Sequence, residues 1–183
     1  FLYVAGDKKA SRTNSILECP IDIAFLLDSS SSVTPENWKK TLKFVEGFER
    51  RIDFSWSDAR IAVVSFGNNA TTEVYLNIFN GFERVVSGIA YKDQSRNTAA
   101  GLKAINDMVF KLSKGDRLEM TNVVILITNG LSTSEQIQNL MAAKQLKRKA
   151  FVFVIGMGDR YVRQEGKAIA SKPSYLFHRE ADY

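Results

Sequence analysis

The sequence of 183 residues contains one cysteine and one histidine. Because Cys19 has no second cysteine to pair with, it is either a small buried hydrophobic residue or half of a bridge to something outside this sequence. His178 is the single candidate base for Cys-His or Ser-His chemistry, and no supporting motif accompanies it. Gly156 and Gly158 follow an apolar run, but no third glycine stands at Tyr161, so the dinucleotide-binding fingerprint is incomplete. We therefore expect no enzymatic activity, with a nucleotide-binding enzyme as a remote alternative.

Long apolar runs are also missing. The longest ones, residues 123–127 and 151–155, fall far short of the roughly 18 residues that a membrane-spanning helix needs. The sequence begins at Phe1 and shows no leader of basic, apolar and small residues. We therefore expect no membrane insertion, and we expect any secretion signal to have been removed or to lie upstream.

The charge is modestly basic, with 25 Lys and Arg against 20 Asp and Glu and a net charge of +5. This balance favours acidic partners such as sulfated glycans, acidic matrix proteins or anionic surfaces. No basic stripe with interleaved aromatic residues is present, so nucleic acid is not an expected partner. An apolar fraction of 45% in a chain of one-domain length predicts a single hydrophobic core.

Apolar runs and helical periodicity alternate along the chain, after an opening stretch at residues 1–18 that lacks a clean period and indicates an arm or linker. Strands are predicted at residues 21–27, 61–66, 72–76, 123–127, 151–155 and 175–178. Helices are predicted from Pro35, at 82–89, from Thr98 through Leu112, after a cap at Ser134, and at 160–170. This order predicts an α/β fold, a doubly wound, mainly parallel six-stranded sheet with one antiparallel edge strand and helices on both faces.

The helix after Ser134 combines apolar residues with a cluster of cations. Its spacing predicts that Ile137, Leu140 and Met141 face inward. Four cations gather towards its end: Lys144, Lys147, Arg148 and Lys149. The negative end of the helix dipole accounts for this cluster better than a heparin site does.

A carboxylate and alternating hydroxyls follow the first buried strand. Asp28, Ser30 and Ser32 lie between residues 21–27 and the helix at Pro35, at the end of a parallel strand where open α/β sheets bind ligands. Oxygen ligands of this kind suit Mg²⁺, Ca²⁺ or Mn²⁺. The alternative is that Ser30 or Ser32 caps the helix or a turn.

The spacing Asp28-x-Ser30-x-Ser32 after this strand resembles the first loop of the von Willebrand factor type A domain, where the loop forms part of a metal-ion-dependent adhesion site. The resemblance continues through residues 97–102, 123–130 and 151–158. It implies a Rossmann-like domain over residues 19–183, whose final helix is missing or truncated here. It also implies a secreted, extracellular module that binds a matrix protein such as collagen, and in many members a cysteine before the first strand pairs with one beyond the last helix.

The other two loops depart from the family pattern. A complete site resembles one with a coordinating threonine in the second loop and an aspartate in a Thr-Asp-Gly turn in the third. Here Arg96 stands in place of that threonine, Thr98 matches a second threonine that usually does not bind metal, and Asn129 replaces the aspartate. We expect Arg96, Thr98 and Asn129 to form the ligand-binding surface.

Charge decides what these replacements do. A complete site brings two carboxylates to the cation, whereas Asp28 is alone here and Arg96 adds a positive charge. We predict weak or absent binding of Mg²⁺, Ca²⁺ or Mn²⁺, with Arg96 paired to Asp28 as an internal substitute for the cation. In the alternative, Arg96 lies in solvent and Asp28, Ser30, Ser32 and Asn129 hold an ion, since Asn carbonyls do bind Ca²⁺.

Three functions remain open, and one modification is expected. The first is a matrix-binding adhesion module with a weakened metal site. The second is a structural repeat unit of a larger matrix assembly, with further domains on the same chain. The third, catalysis, is remote. The sequon Asn69-Ala70-Thr71 predicts a glycan on Asn69.

Overall fold

This computed structural model describes residues 20–51, 59–78, 80–130, 136–157 and 163–179. The described residues form one sheet of six strands in the order β3-β2-β1-β4-β5-β6. Every neighbouring pair is parallel except β2 and β3, which form an antiparallel hairpin at one edge. The predicted fold class is therefore confirmed. The strands are β1 Ile21–Asp28, β2 Ala59–Phe66, β3 Ala70–Val74, β4 Thr121–Thr128, β5 Phe151–Met157 and β6 Leu176–Arg179.

Helices cover both faces of this sheet. Helix α1 begins where it was predicted, because Thr34 Oγ1 accepts a hydrogen bond from Asn37 N at 3.2 Å and Pro35 occupies the first turn. Among the described residues, every helix is too short or too polar to cross a membrane. The α-helices are α1 Pro35–Glu49, α2 Phe82–Ser87, α3 Thr98–Ala104, α4 Gln136–Leu146 and α5 Arg163–Ile169.

Two apolar clusters lie on opposite faces of the sheet, and β1 contributes to both. Phe25 and its odd-numbered neighbours pack against α1 and α2, whereas Ala24 and Leu26 pack against α3, α4 and α5. Alternate side chains of a strand point to opposite faces, so a central strand apolar at nearly every position is buried on both sides. The central place of β1 puts its last residue, Asp28, in the middle of the carboxyl edge.

Helix α3 ends earlier than its periodicity predicts. The α-helix stops at Ala104, and residues Ile105–Val109 form a π-helical segment in which Phe110 N bonds to Ile105 O at 3.3 Å. Ile105 and Val109 are buried as expected, but Leu112 is exposed. The helix ends at Val109, Lys111 is extended, and Leu112 begins a separate 3-10 turn, so the inward face does not continue to Leu112.

Helix α4 is rotated relative to the prediction. Ile137, Leu140 and Met141 are 72%, 43% and 61% exposed, so the expectation that they face inward is wrong. The inward face instead carries Asn139, Ala142, Ala143 and Leu146. Small alanine side chains let α4 pack closely beside α3, and Ile137, Leu140 and Met141 are left outside. The expected cap at Ser134 and the expected helix start at residue 160 lie outside the described residues.

Gly101 allows α3 to lie directly on the sheet. A Cβ atom at this position would stand 2.9 Å from Leu26 Cδ1, closer than real Cβ contacts allow, and a tight 3.1 Å from the Phe66 ring. The start of α3, and the loop that precedes it, are therefore held close to the carboxyl ends of β1 and β2.

Candidate functional site

Two loops join side by side at the carboxyl edge of the sheet. Residues 28–32, which we call the serine loop, begin at the last residue of β1. Ser29 N donates to Phe66 O at 2.7 Å, which ties the serine loop to the end of β2. Ser30 forms a parallel bridge with Gln94, and Ser31 N donates to Gln94 O at 2.8 Å. The loop at residues 91–97 thus lies along the serine loop and brings Arg96 to Asp28.

Asp28 is buried and accepts three interactions. Its Oδ1 accepts a hydrogen bond from Ser30 N at 3.0 Å. Its Oδ2 accepts one from Thr128 Oγ1 at 2.6 Å and lies 2.8 Å from Arg96 Nε. The ion pair expected from the sequence is therefore present, and Arg96, whose side chain is only 10% exposed, does not lie in solvent.

The Arg96 guanidinium reaches every candidate ligand of the site. Besides Asp28, its Nε lies 3.3 Å from Ser30 Oγ, and its Nη2 donates to Ser32 Oγ and, at 2.8 Å, to Asn129 Oδ1. A guanidinium is always charged and carries five N–H donors, so one side chain serves acceptors from two loops, the one after β1 and the one after β4. These acceptors are a carboxylate, two hydroxyls and an amide oxygen.

The polar side chains also bond to one another. Ser30 Oγ and Ser32 Oγ are 2.8 Å apart, Ser32 Oγ lies 3.1 Å from Asn129 Oδ1, and Asn129 Nδ2 donates to Ser32 O. Within the described ranges, no group of three His, Cys, Asp or Glu side chains is present, and Asp28 is the one carboxylate beside these hydroxyl and amide groups. With the guanidinium among its donors, the cluster as arranged does not fit a divalent cation.

Thr98 does not belong to the surface on which it was expected. It is the first residue of α3, follows the capping Asn97, and is only 3% exposed. Asn97 Oδ1 accepts a hydrogen bond from Ala100 N at 2.9 Å, and this cap directs Thr98 and Ala99 towards the sheet. Arg96 and Asn129 are partly exposed and remain as the expected surface residues.

Sequence reasoning missed two residues that support the site. Thr128 follows the last paired residues of β1 and β4, Leu27 and Ile127, so the parallel register could have placed its hydroxyl beside Asp28. The Tyr91 hydroxyl lies 3.1 Å from Ser30 O. Burial, followed by the neighbouring Asp93, raises the pKa of Tyr91.

A buried polar pair on α4 and α5 was also missed. Asn139 Nδ2 donates to Glu165 Oε1 at 2.8 Å, and both side chains are buried. Burial raises the pKa of Glu165, against the lowering effects of the Asn139 hydrogen bond and of the positive charge of Arg96. The charge of Arg96 is therefore felt beyond its own aspartate. No periodicity or motif in the sequence indicates this pair.

Asn69 lies close to the same edge. It is exposed in the turn between β2 and β3, and this turn contacts the Arg96 loop because Asn97 N donates to Gly67 O at 2.9 Å. Thr71, the third residue of the sequon, accepts a hydrogen bond from Lys92 Nζ at 2.7 Å. The expected glycosylation position is thus accessible and borders the loop.

The strand order and the Asp-x-Ser-x-Ser loop at the carboxyl edge define a doubly wound domain with the loop arrangement of an adhesion site. The family model of the von Willebrand factor type A domain matches residues 22–183. The chain belongs to this family.

Similar proteins include several with matrix names. The chain is 32% identical to human (Homo sapiens) matrilin-1 over 156 residues, covering 83% of this chain and 31% of that protein. It is 29% identical to the human collagen alpha-1(XXI) chain, covering 93% of this chain and 18% of that protein. The chain therefore spans a third or less of the length of these relatives.

Solved structures of proximal thread matrix protein 1 from the mussel byssus have the same fold. One superposes with a TM-score of 0.82 at 23% identity, covering 90% of this chain and 45% of that chain. Another, at 24% identity, is described as having a zinc-occupied MIDAS motif, the metal-ion-dependent adhesion site.

Proposed function

We propose that this domain is a secreted, extracellular module that binds a matrix protein such as collagen, and that it does so without a divalent cation. The proposal that no cation is needed rests on the Arg96 guanidinium. This group contacts Asp28, Ser30, Ser32 and Asn129. The names of the relatives, matrilin-1 and collagen alpha-1(XXI), support the matrix setting. No catalytic role is proposed.

Electrostatics supports the loss of metal binding. Asp28 and Arg96 together bring a net charge near zero, whereas a site with two carboxylates brings about minus two. Repulsion between a cation and the guanidinium at ~4 Å is ~4 kcal/mol for an effective dielectric constant of ~20. This energy corresponds to a loss of several hundred-fold in affinity. The zinc-occupied motif of the mussel protein is the contrasting case.

Isothermal titration with Mg²⁺, Mn²⁺ and Ca²⁺ tests this part of the proposal. We expect no heat of binding at micromolar concentrations of any of the three ions. Micromolar affinity for any of them would contradict the proposal.

Surface plasmon resonance tests the binding function. Immobilised collagen and immobilised heparin, each with and without chelator, separate a protein ligand from a sulfated glycan. We expect a signal on collagen that the chelator does not change and that Asn129→Ala weakens. Lys39→Ala, a change on the exposed side of α1, is the matched control. Chelator-sensitive binding would contradict the metal-free mechanism, and no binding to either matrix ligand would contradict the adhesion function.

We also propose that Asn69 carries an N-linked glycan beside this surface. The asparagine is exposed in the β2–β3 turn, so its side chain is accessible for attachment of an oligosaccharide. After secretion from animal cells, enzymatic removal of N-glycans should lower the mass of the protein. Asn69→Gln should abolish this change, and Thr71→Ser, which keeps the sequon, should preserve it. An unchanged mass after enzyme treatment would rule out the glycan.

A further inference from the structure

Helix α4 exposes a continuous stripe of side chains. Ile137, Leu140 and Met141 are separated by three and four residues, which places them on one face of the helix. They are 72%, 43% and 61% exposed, although such side chains are normally buried. Lys144 follows on the same face and is also exposed. The stripe is therefore apolar over two turns and cationic at its C-terminal end.

The cations near the end of α4 divide into two pairs. Lys147 Nζ donates to Ala168 O at 2.5 Å, and Lys149 Nζ donates to Asn106 O at 3.2 Å, so these two side chains hold the end of α4 to neighbouring segments. Lys144 and Arg148 are exposed, and neither forms an ion pair with another described residue. Their charges are available to a partner.

The size and composition of the stripe select the kind of partner. Three side chains expose at most about 400 Å² of apolar surface, half of the ~800 Å² that each partner buries in a standard interface. This area is small for a second copy of the chain, but it suits a single helix anchored at positions i, i+3, i+4 and i+7. A sulfated glycan would gain nothing from Ile137 and Met141.

Charge complementarity indicates that the partner helix is negatively charged. Residues Gln136–Leu146 contain no carboxylate, while Lys144 and Arg148 supply positive charge at one end of the stripe. Complementary potentials select the partner and orient it. We infer that α4 is the docking site for an acidic amphipathic helix of a partner protein, with its apolar side chains over Ile137, Leu140 and Met141 and its carboxylates at Lys144 and Arg148.

This surface is separate from the Asp28 and Arg96 cluster. Metal titration and chelator experiments test that cluster, and none of them involves the stripe. Failure of the docking inference therefore leaves the proposed adhesion function untouched, and the reverse also holds.

The test uses two fluorescein-labelled, three-heptad helical peptides with leucine at positions a and d. One carries glutamate at the flanking e and g positions, and its twin carries lysine there. In fluorescence anisotropy titrations we expect the glutamate peptide to bind the protein at least about tenfold more tightly than the lysine peptide. Equal binding of the two peptides, or no binding of the glutamate peptide, would overturn the inference.

Variants locate the binding surface. Ile137→Ser combined with Met141→Ser should weaken binding of the glutamate peptide about tenfold or more. Lys144→Glu should weaken the glutamate peptide and strengthen its lysine twin. Leu118→Ser is the matched control, because Leu118 is 75% exposed in the turn before β4, and it should change neither affinity. Similar losses in the control and in the double variant would overturn the assignment to α4.

Two further measurements identify other occupants. A dimer in sedimentation velocity that Ile137→Ser with Met141→Ser abolishes would mean that a second copy covers the stripe. A polyanion would be the occupant if the protein binds heparin and not the glutamate peptide, if Lys144→Glu removes heparin binding, and if the apolar double variant leaves it unchanged. Either result would overturn the acidic-helix inference.

Discussion

Strand β1 has a buried aspartate near each end, and an arginine pairs with each of them. Near the amino end, Arg117 Nη2 lies 2.6 Å from Asp22 Oδ1; at the carboxyl end, Arg96 Nε lies 2.8 Å from Asp28 Oδ2. Both aspartate side chains are fully buried, and both arginine side chains are mostly buried. The two pairs have the same chemistry in different surroundings.

The difference lies in what each pair contacts. Arg117 donates to both oxygens of Asp22, through its backbone N and its guanidinium, and to the Ile21 carbonyl. This is a local clamp on the start of a strand. Arg96 shares its donors among Asp28, Ser30 and Ser32 of one loop and Asn129 of another. The Asp22–Arg117 pair therefore has a structural role at the amino edge of the sheet. The Asp28–Arg96 pair has the same chemistry, but at the carboxyl edge it lies where a metal or ligand would bind.

The largest expected effect is a gain of metal binding at one edge alone. Arg96→Thr combined with Asn129→Asp removes the competing charge and adds a carboxylate. Affinity for Mn²⁺ should then rise by several hundred-fold or more, since ~4 kcal/mol of repulsion disappears. Isothermal titration measures this gain.

Arg117→Thr is the matched control for that experiment. It frees the same residue type, Asp22, but within the described residues the hydrogen bonds given to Asp22 come from Arg117 and not from hydroxyls, so we expect no Mn²⁺ binding. Equal gains in the two proteins would contradict the assignment of the metal position to the Asp28 edge.

The next largest effect is on stability, and here we expect the larger change at the Asp22 edge and the smaller one at the Asp28 edge. Arg117→Ala removes the guanidinium from the buried Asp22 and leaves it the backbone N of residue 117 as a donor, and we expect a loss of about 3 kcal/mol in the free energy of unfolding. Arg96→Ala should cost less, about 1–2 kcal/mol, because Asp28 keeps the Thr128 hydroxyl and the Ser30 amide. Urea unfolding at neutral pH without divalent ions measures both. A larger loss for Arg96→Ala would show that the carboxyl edge is the stronger clamp.

The smallest effect concerns pH and Glu165. Because burial raises its pKa in the folded state, the folded protein binds more protons than the unfolded chain between the two pKa values. Stability is therefore lost as the pH rises from the unfolded pKa of about 4.3 through the higher folded value. Glu165→Gln has no carboxyl group at this position and so does not lose stability in this way as the pH rises. The Tm of this variant minus the Tm of the natural protein should therefore be larger at pH 7 than at pH 4. A difference in Tm that does not change with pH would contradict this account.

Local patterns in the sequence predict much of this domain. The run before Asp28 gave a central strand, and Thr34 with Pro35 gave the start of α1, because caps and periods depend on neighbouring residues. The rotation of α4 was predicted wrongly. Which side of that helix is buried depends on how closely it approaches α3, and this approach depends on small side chains such as Ala142 and Ala143.

The same limit applies to the site. Asp28 and the serines could be placed from the end of their strand, but the burial of Thr98 and the Asn139–Glu165 hydrogen bond join residues from separate elements. Such contacts have no periodic trace in the sequence. The hydroxyl of Thr128 is an intermediate case, because its place beside Asp28 follows once β1 and β4 are known to be parallel neighbours.

The sequence by itself determined the order of strands and helices, the Asp-x-Ser-x-Ser loop, and the replacement of a threonine by Arg96 and of an aspartate by Asn129. It left open whether the arginine points into solvent or towards Asp28. Only the tertiary structure decided this point. The Arg96 loop docks on the serine loop through Ser30 and Gln94, and this docking brings the guanidinium within hydrogen-bond distance of a carboxylate that would otherwise be buried without a cation.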